Sequence, residues 1–310
     1  MPQSLLITGG CGFVGSNLIA KLRQNYDYKI RVLDNESTGK YRWISEFDVE
    51  FVSGDILNRR TVYSALENVD TVVHLAADTR VMDSINNPDL NFQVNVVGTY
   101  NILNAMRSRN ITRIINASTG GAILGEVHPP VHEQMVPQPL SPYGAAKLAC
   151  EGYCSAFTGS YGFAATSLRF SNVYGTRSYH KGSVVAQFFK NVLKNEPLTV
   201  YGDGSQTRDY VFSEDLAGGI VSAIKAGRAG VYQLGTGIPT SINQLIDAIR
   251  RTVGSTHRVD VNFRHFRPGE IRHTYCAIDK AREHLNYTAP TSLEEGLATT
   301  WDWFVSAAKS

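Results

Sequence analysis

Tyr143 and Lys147 stand four residues apart in the run SPYGAAK. That spacing sets a phenol and an ammonium on one helix face. A free phenol ionises near pH ~10. A neighbouring ammonium favours the phenolate, which makes a tyrosine usable as a base near neutral pH. Ser118 and Thr119 follow a short apolar run and offer hydroxyls to the same substrate oxygen. Tyr-x-x-x-Lys is common on helices, so its meaning depends on what else converges there.

A second constellation lies near the start, in TGGCGFVG at positions 8–15. Gly10, Gly12 and Gly15 fit G-x-G-x-x-G, while Gly9, Gly12 and Gly15 fit G-x-x-G-x-x-G. Glycine suits a tight turn, backbone approach to a pyrophosphate and close packing of helix on strand. The helix that follows offers unpaired N–H groups and a positive dipole end to the phosphates. Asp34 ends the next apolar run, close to the ~20-residue offset of a ribose-binding carboxylate. A carboxylate there accepts from a ribose 2′-OH and repels a 2′-phosphate, so NAD is expected over NADP. Asp55 follows a third run and could cap an adenine edge or serve a plain turn. Leu75, Ala76 and Ala77 are small enough to let a cofactor cross the sheet edge, and His74 reads as a packed strand residue.

These residues need a scaffold, and the chain supplies one. Its 310 residues allow one large or two modest domains, at roughly 100–200 residues each. Apolar residues make up 43%, enough for a sizeable core, and the formal charge of +2 argues against a nucleic-acid footprint. No apolar run approaches the ~18 residues of a membrane span. Four scattered cysteines give neither a disulfide framework nor a zinc spacing, and no metal is expected. A soluble cytoplasmic protein is the expectation. Strands are expected at 4–8, 29–34, 49–53, 71–75, 113–117 and 164–169, with helices at 13–24, 91–108 and 142–157. Apolar strands separated by helices mean a parallel sheet covered on both faces. Further helices are expected at 183–194, 214–226, 240–253 and 293–305, among glycine-rich loops. The expected fold is α/β: a Rossmann doubly wound parallel sheet over 1–172, with a smaller mixed α/β lobe over 173–310. The chain is expected to cross back between the two.

In this context nine stretches resemble, in order, the extended short-chain dehydrogenase/reductase family in its NAD-dependent nucleotide-sugar epimerase/dehydratase branch. They are TGGCGFVG, VLDNESTG, GDIL, HLAAD, NVVGTYNIL, SPYGAAKLACE, LRFSNVYG, YGDGSQTRDYV and RPGEIR. The resemblance implies a Rossmann domain holding NAD and a C-terminal part holding a nucleotide sugar. It places Gly9, Gly12, Phe13 and Val14 at the pyrophosphate, and Asp34, Asn35, Ser37, Thr38 and Gly39 on the ribose side. Asp55 and Ile56 fall at the adenine, and Leu75, Ala76, Ala77, Asn95 and Phe170 along the cofactor. Tyr143 matches the general base, Lys147 its ribose-holding partner, and Thr119, with Ser118, the second hydroxyl. Asn172 matches a diphosphate contact, Val184 a sugar-side contact and Tyr201 a neighbour of the base. Arg208 and Arg267 match the phosphate and ribose clamps, with Glu270 as an acidic partner of the nucleotide ribose.

Several reactions share this machinery. Dehydratases of the family carry an Asp-Glu pair after the Ser-Thr, and decarboxylases a Glu in that region. This chain has Gly120 and Gly121 there, which disfavours both. Epimerase-reductases use a Cys/His pair near the sugar, whereas Cys150 and Cys154 read as packing residues. C4 epimerisation of a UDP-hexose through a 4-keto intermediate remains. STGGAILGE resembles the STGGAIYGE form of prokaryotic UDP-glucose 4-epimerases, with Leu124 in place of the tyrosine. Thr274 falls near the C2 substituent, where a small residue leaves room for N-acetyl and so for UDP-GlcNAc. Arg80 could face a substrate carboxylate, which keeps UDP-glucuronate open. A non-enzymatic NAD-binding sensor is the other alternative. Family members usually dimerise through the helices expected here at 91–108 and 142–157, so a homodimer is expected.

Overall fold

The computed structural model describes residues 3–266 and 271–308. The chain begins β1 (Ser4–Thr8), α1 (Phe13–Asn25), β2 (Lys29–Asp34), β3 (Glu50–Ser53), α2 (Arg59–Ala65) and β4 (Thr71–His74). It continues with α3 (Val81–Asn86), α4 (Pro88–Phe92), α5 (Gly98–Ser108), β5 (Arg113–Thr119), α6 (Gly121–Leu124), α7 (Pro142–Tyr161) and β6 (Ala164–Phe170). The strands are apolar at successive positions because both faces are covered. Leu5 and Ile7 pack with α1 and with α9 (Ser213–Ala226), while Leu6 packs with α2, α5 and α7.

The remainder forms β7 (Asn172–Tyr174), α8 (Val184–Leu193), β8 (Leu198–Tyr201), β9 (Thr207–Phe212), α9, β10 (Gly230–Leu234) and β11 (Pro239–Ser241). It ends with α10 (Ile242–Val253), β12 (Val261–Arg264), α11 (Asp279–Leu285) and α12 (Leu293–Ala307). The large sheet has the order β10-β6-β5-β4-β1-β2-β3, and every pair in it is parallel. The order reverses between β1 and β4, and open sheets of this kind bind ligands in the crevice at such a switch point. Two small sheets, β11-β9-β7 and β12-β8, lie outside it. Their core draws on Phe188, Phe189, Leu245, Ile249, Trp301 and Phe304. β10 returns from this region to pair with β6. Among the described residues no helix is long and apolar enough to cross a membrane.

Some element bounds differ from the sequence expectation, each for a local reason. β5 runs on through Ser118 and Thr119 because its ladder with β6 continues to the pair Thr119 and Phe170. The helix expected at 91–108 is broken into α4, a π-helical stretch Gln93–Val97, and α5. Widened turns of this sort often aim a side chain at a functional site, and Asn95 sits inside this one. α7 outruns its expected end and stops at Gly162, whose φ of 69° is the left-handed terminator glycine adopts readily. The helix expected from 240 begins at Ile242, after Ser241 and Gln244 close a capping box.

Candidate active site

Gly9 turns the chain from β1 toward α1 with φ +69°, and a Cβ there would lie 2.6 Å from the Ala76 backbone nitrogen. Only glycine meets both conditions. α1 then starts at Gly12 with no side-chain cap and no acidic residue in its first turn. Its first N–H groups therefore present a positive end at the switch point, which suits a pyrophosphate. Phe13 is buried beneath this turn and Val14 packs against the core. The segment after β2 folds over the loop, with Gly39 pressed against the Cys11 carbonyl.

Asp34 closes that corner. Its carboxylate accepts from the Cys11 N–H at 3.0 Å and the Glu36 N–H at 2.8 Å. Burial pushes its carboxyl above the usual range, and the two N–H groups oppose that. Asn35 donates to Asp55 at 2.8 Å and accepts from the Ser37 N–H at 3.0 Å. Asp55 also accepts from the Leu57 N–H. Ile56 is buried against Gly98, while Asn35, Ser37 and Thr38 form an exposed rim. A glycine cradle, an uncapped helix end and a carboxylate at the β2 tip fit an adenine dinucleotide.

The β4 tip is fixed from behind. His74 bridges Thr8 at 2.7 Å and Thr99 at 3.0 Å, and burial pushes it down to about 3, so it is a neutral packing residue. Leu75, Ala76 and Ala77 line the crevice half-buried, and Phe170 does so at the β6 tip. Asn95, expected along the cofactor, lies behind the loop after β4. It is 1% exposed, accepts from the Asp78 N–H at 3.0 Å and donates to the Asp78 carbonyl at 2.9 Å. Its side chain is spent on holding the loop after β4.

α7 delivers the chemistry. Ser141 caps its start by accepting from the Gly144 N–H, and the Tyr143 N–H donates to Ser84 Oγ. The Tyr143 phenol is buried, with the Thr119 side chain beside it. Burial pushes the phenol well above its ordinary value, Thr119 opposes this, and the nearby Cys150 and Asp78 add to it. Desolvation thus sets the direction in the chain itself, against the expected acidification. Lys147 is 5% exposed, donates to the Ala117 carbonyl at 2.9 Å, and is pushed down by burial. Ser118, expected beside Thr119 as a substrate hydroxyl, instead donates to Glu151 at 2.6 Å. Cys150 contacts Asn95 and Thr99, and Cys154 is buried, both in packing positions.

The profile of the NAD dependent epimerase/dehydratase family matches residues 5–235. The chain belongs to this family. It is 33% identical to the UDP-glucose 4-epimerase of Mycolicibacterium smegmatis, over 96% of this chain and 97% of that one. The crystal structure of the Thermotoga maritima UDP-glucose 4-epimerase with UDP-glucose is similar at TM-score 0.93 and 33% identity, covering 99% and 100% of the two chains. The Bacillus cereus UDP-glucuronic acid 4-epimerase, in complex with UDP-glucuronic acid and NAD, is similar at TM-score 0.90 and 30% identity, covering 98% and 100%.

In this NAD-dependent epimerase-family enzyme, the residues expected on the sugar side come from distant segments. Thr274 donates its N–H to the Thr207 carbonyl, and its hydroxyl lies 3.5 Å from where a Cβ on Gly121 would stand. Arg208 reaches the Thr207 carbonyl at 2.8 Å and the Arg272 carbonyl at 3.1 Å. Asn172 is exposed at the start of β7, while Val184 and Tyr201 are half-buried at the start of α8 and the end of β8. Arg80 is exposed and pairs with Asp83 at 3.5 Å. Arg267 and Glu270 lie outside the described residues.

Sequence reasoning missed the residues that hold these groups in place. Glu151 lies one turn beyond Lys147 on the same face of α7, and that spacing was its available signal. Asp209, inside the stretch YGDGSQTRDYV, accepts from the Thr236 N–H and hydroxyl at 2.8 Å and the Gly237 N–H at 3.0 Å. It also accepts from the Cys276 N–H at 3.3 Å and thiol at 3.2 Å. One buried carboxylate thus ties β9, and so Arg208, to the segment carrying Thr274.

Proposed function

We propose that the protein is a UDP-hexose 4-epimerase with Tyr143 as its acid/base. The observation that carries this reading is Tyr143 at the start of α7, packed on β5, which ends at Thr119 and is followed by Gly120 and Gly121 rather than carboxylates. In this mechanism Thr119 holds the sugar O4 and Tyr143 takes its proton. NAD, when bound, accepts the C4 hydrogen with its electron pair and later returns it. The 4-keto sugar turns about its diphosphate linkage while Arg208, Asn172 and Arg267 hold the nucleotide, with Glu270 on its ribose. Tyr143 then gives the proton back to O4 on the opposite configuration. Nothing is consumed, and the absence of a second acid/base at 120–121 leaves the C5 proton and C6 hydroxyl untouched. Because burial holds the isolated phenol protonated, deprotonation depends on positive charge brought by the cofactor.

The cofactor side is assigned to 1–172 and the sugar side mainly to 173–310, with β10 returning to the large sheet. Thr274 beside Gly121 supports room for a C2 N-acetyl group, and hence UDP-GlcNAc as well as UDP-glucose. One observation favours UDP-glucuronate as a second reading. Burial pushes Lys181 and Lys190 down, with Arg80 a smaller cause in each, so three cationic side chains gather on that side of the chain. Leu90, Phe92 and Tyr153 are exposed on α4 and α7, which supports a homodimer through that face. Four buried, unpaired thiols suit a reducing, cytoplasmic setting.

The test is NMR-monitored incubation of the protein with UDP-glucose, UDP-GlcNAc and UDP-glucuronate separately. A C4 epimer is expected, and relative rates identify the sugar. No turnover of any of them, with NAD added, would overturn the reading and leave an NAD-binding sensor.

A further inference from the structure

The last three residues of β5 each meet one face of α7. The Ala117 carbonyl accepts from Lys147 and Ser118 donates to Glu151, while Thr119 lies beside Tyr143. Tyr143, Lys147 and Glu151 are spaced by four residues, so one helix face carries all three. The Glu151 contact has its own anchor. Arg169 on β6 donates Nε to Oε1 at 2.9 Å and Nη2 to Oε2 at 2.7 Å, while Ser118 shares Oε1. Arg169 is also the ladder partner of Ser118. The triangle therefore joins β5, β6 and α7 directly behind the reacting groups.

This is an expensive way to fill a core. Glu151 and Arg169 are 6% and 3% exposed, and Lys147 lies one turn away, so three charged groups share one buried space. Arg169 Nη1 is left with no hydrogen-bond partner. Apolar side chains of similar volume commonly replace such pairs without loss of stability. What an apolar pair cannot do is fix the helix along the strand through directional bonds.

We infer that Glu151, held by Arg169, is a positioning residue for the reaction: it sets the register of α7 on β5 that brings the Tyr143 phenol beside Thr119. The inference rests on Tyr143 being the acid/base. Misplacing a reacting group by about 1 Å can cost ~100-fold in rate.

The test compares the parent, the double variant Glu151→Met/Arg169→Met, Ser118→Ala, and Tyr143→Phe in one assay of kcat, KM, bound NAD and Tm. The double variant is expected to lose about 10- to 100-fold in kcat, with KM, NAD content and Tm close to the parent. Ser118→Ala, which removes only the hydroxyl that Glu151 holds, should lose kcat in the same direction by less. Parental kcat in Ser118→Ala, or in a folded double variant, while Tyr143→Phe is inactive, would overturn the proposal. Parallel loss of kcat and NAD would overturn it too, marking a general role in folding. Turnover surviving in Tyr143→Phe would instead break the epimerase reading on which it stands.

Discussion

The cofactor end and the sugar end of the crevice are built differently. At the cofactor end, consecutive residues do the work: Gly9 to Gly12 turn beneath Ala76, and Asp34 is locked by N–H groups only two and twenty-three positions away. Its groups sit at the tips of strands buried on both faces, so their positions follow from the sheet. At the sugar end, Asn172, Val184, Tyr201, Arg208 and Thr274 come from five separate segments. Buried Asp209 gathers the turn after β10 and the segment at 276 onto β9, the strand that carries Arg208. Arg208 and Thr274 are half-buried, and Asn172 is exposed. In the proposed reading the first end carries the redox step and the second chooses the sugar.

Changes at the cofactor end should cost most in rate. Tyr143→Phe removes the only acid/base group proposed for O4, and a general acid/base contributes about 10²- to 10⁴-fold. Turnover should fall by that amount with NAD content unchanged, as read by release of cofactor on denaturation. Full activity would mean that another group moves the proton.

Arg208→Ala acts on the other end. A hydrogen bond to a charged group contributes about 1.5–3 kcal/mol, so KM for the nucleotide sugar should rise roughly 10- to 100-fold, with bound NAD retained. A change in NAD content in place of KM would erase the separation between the two ends.

Thr274→Tyr should sharpen it. Bulk beside Gly121 is expected to disfavour UDP-GlcNAc about tenfold relative to UDP-glucose, the scale of steric discrimination in a sugar pocket. Equal losses for both sugars would remove position 274 from the choice.

The smallest effect belongs to His74, whose folded value of about 3 lies below its ordinary 6.5 because of burial. Between these values the unfolded chain binds more protons, so stability is complete above about pH 6.5 and is lost as pH falls toward 3. The slope contributed is at most about 1.4 kcal/mol per pH unit. Urea unfolding at pH 7 and pH 5 should show it, and His74→Gln should flatten it. An unchanged slope would mean that the cofactor end is not anchored through this imidazole.

Much of this molecule follows from the order of its residues. The glycine turn, Asp34 at the end of an apolar run and the four-residue spacing of Tyr143 and Lys147 are local patterns. Local geometry dictates what they become, since strand, tight turn and helix each fix side-chain direction within a few residues. The sequence also determined that no carboxylate follows Thr119, and with it the reactions disfavoured. What only the tertiary structure decided depends on partners far away along the chain. Ser118 and Thr119 look equivalent as neighbours, but Glu151 takes the Ser118 hydroxyl while Thr119 lies beside Tyr143. Asn95, within a π-helical stretch, is joined to Asp78, seventeen residues away, only by the fold. The four-residue spacing to Lys147 suggests an acidic phenol, yet packing buries that phenol, and desolvation, which no local pattern encodes, pushes it up.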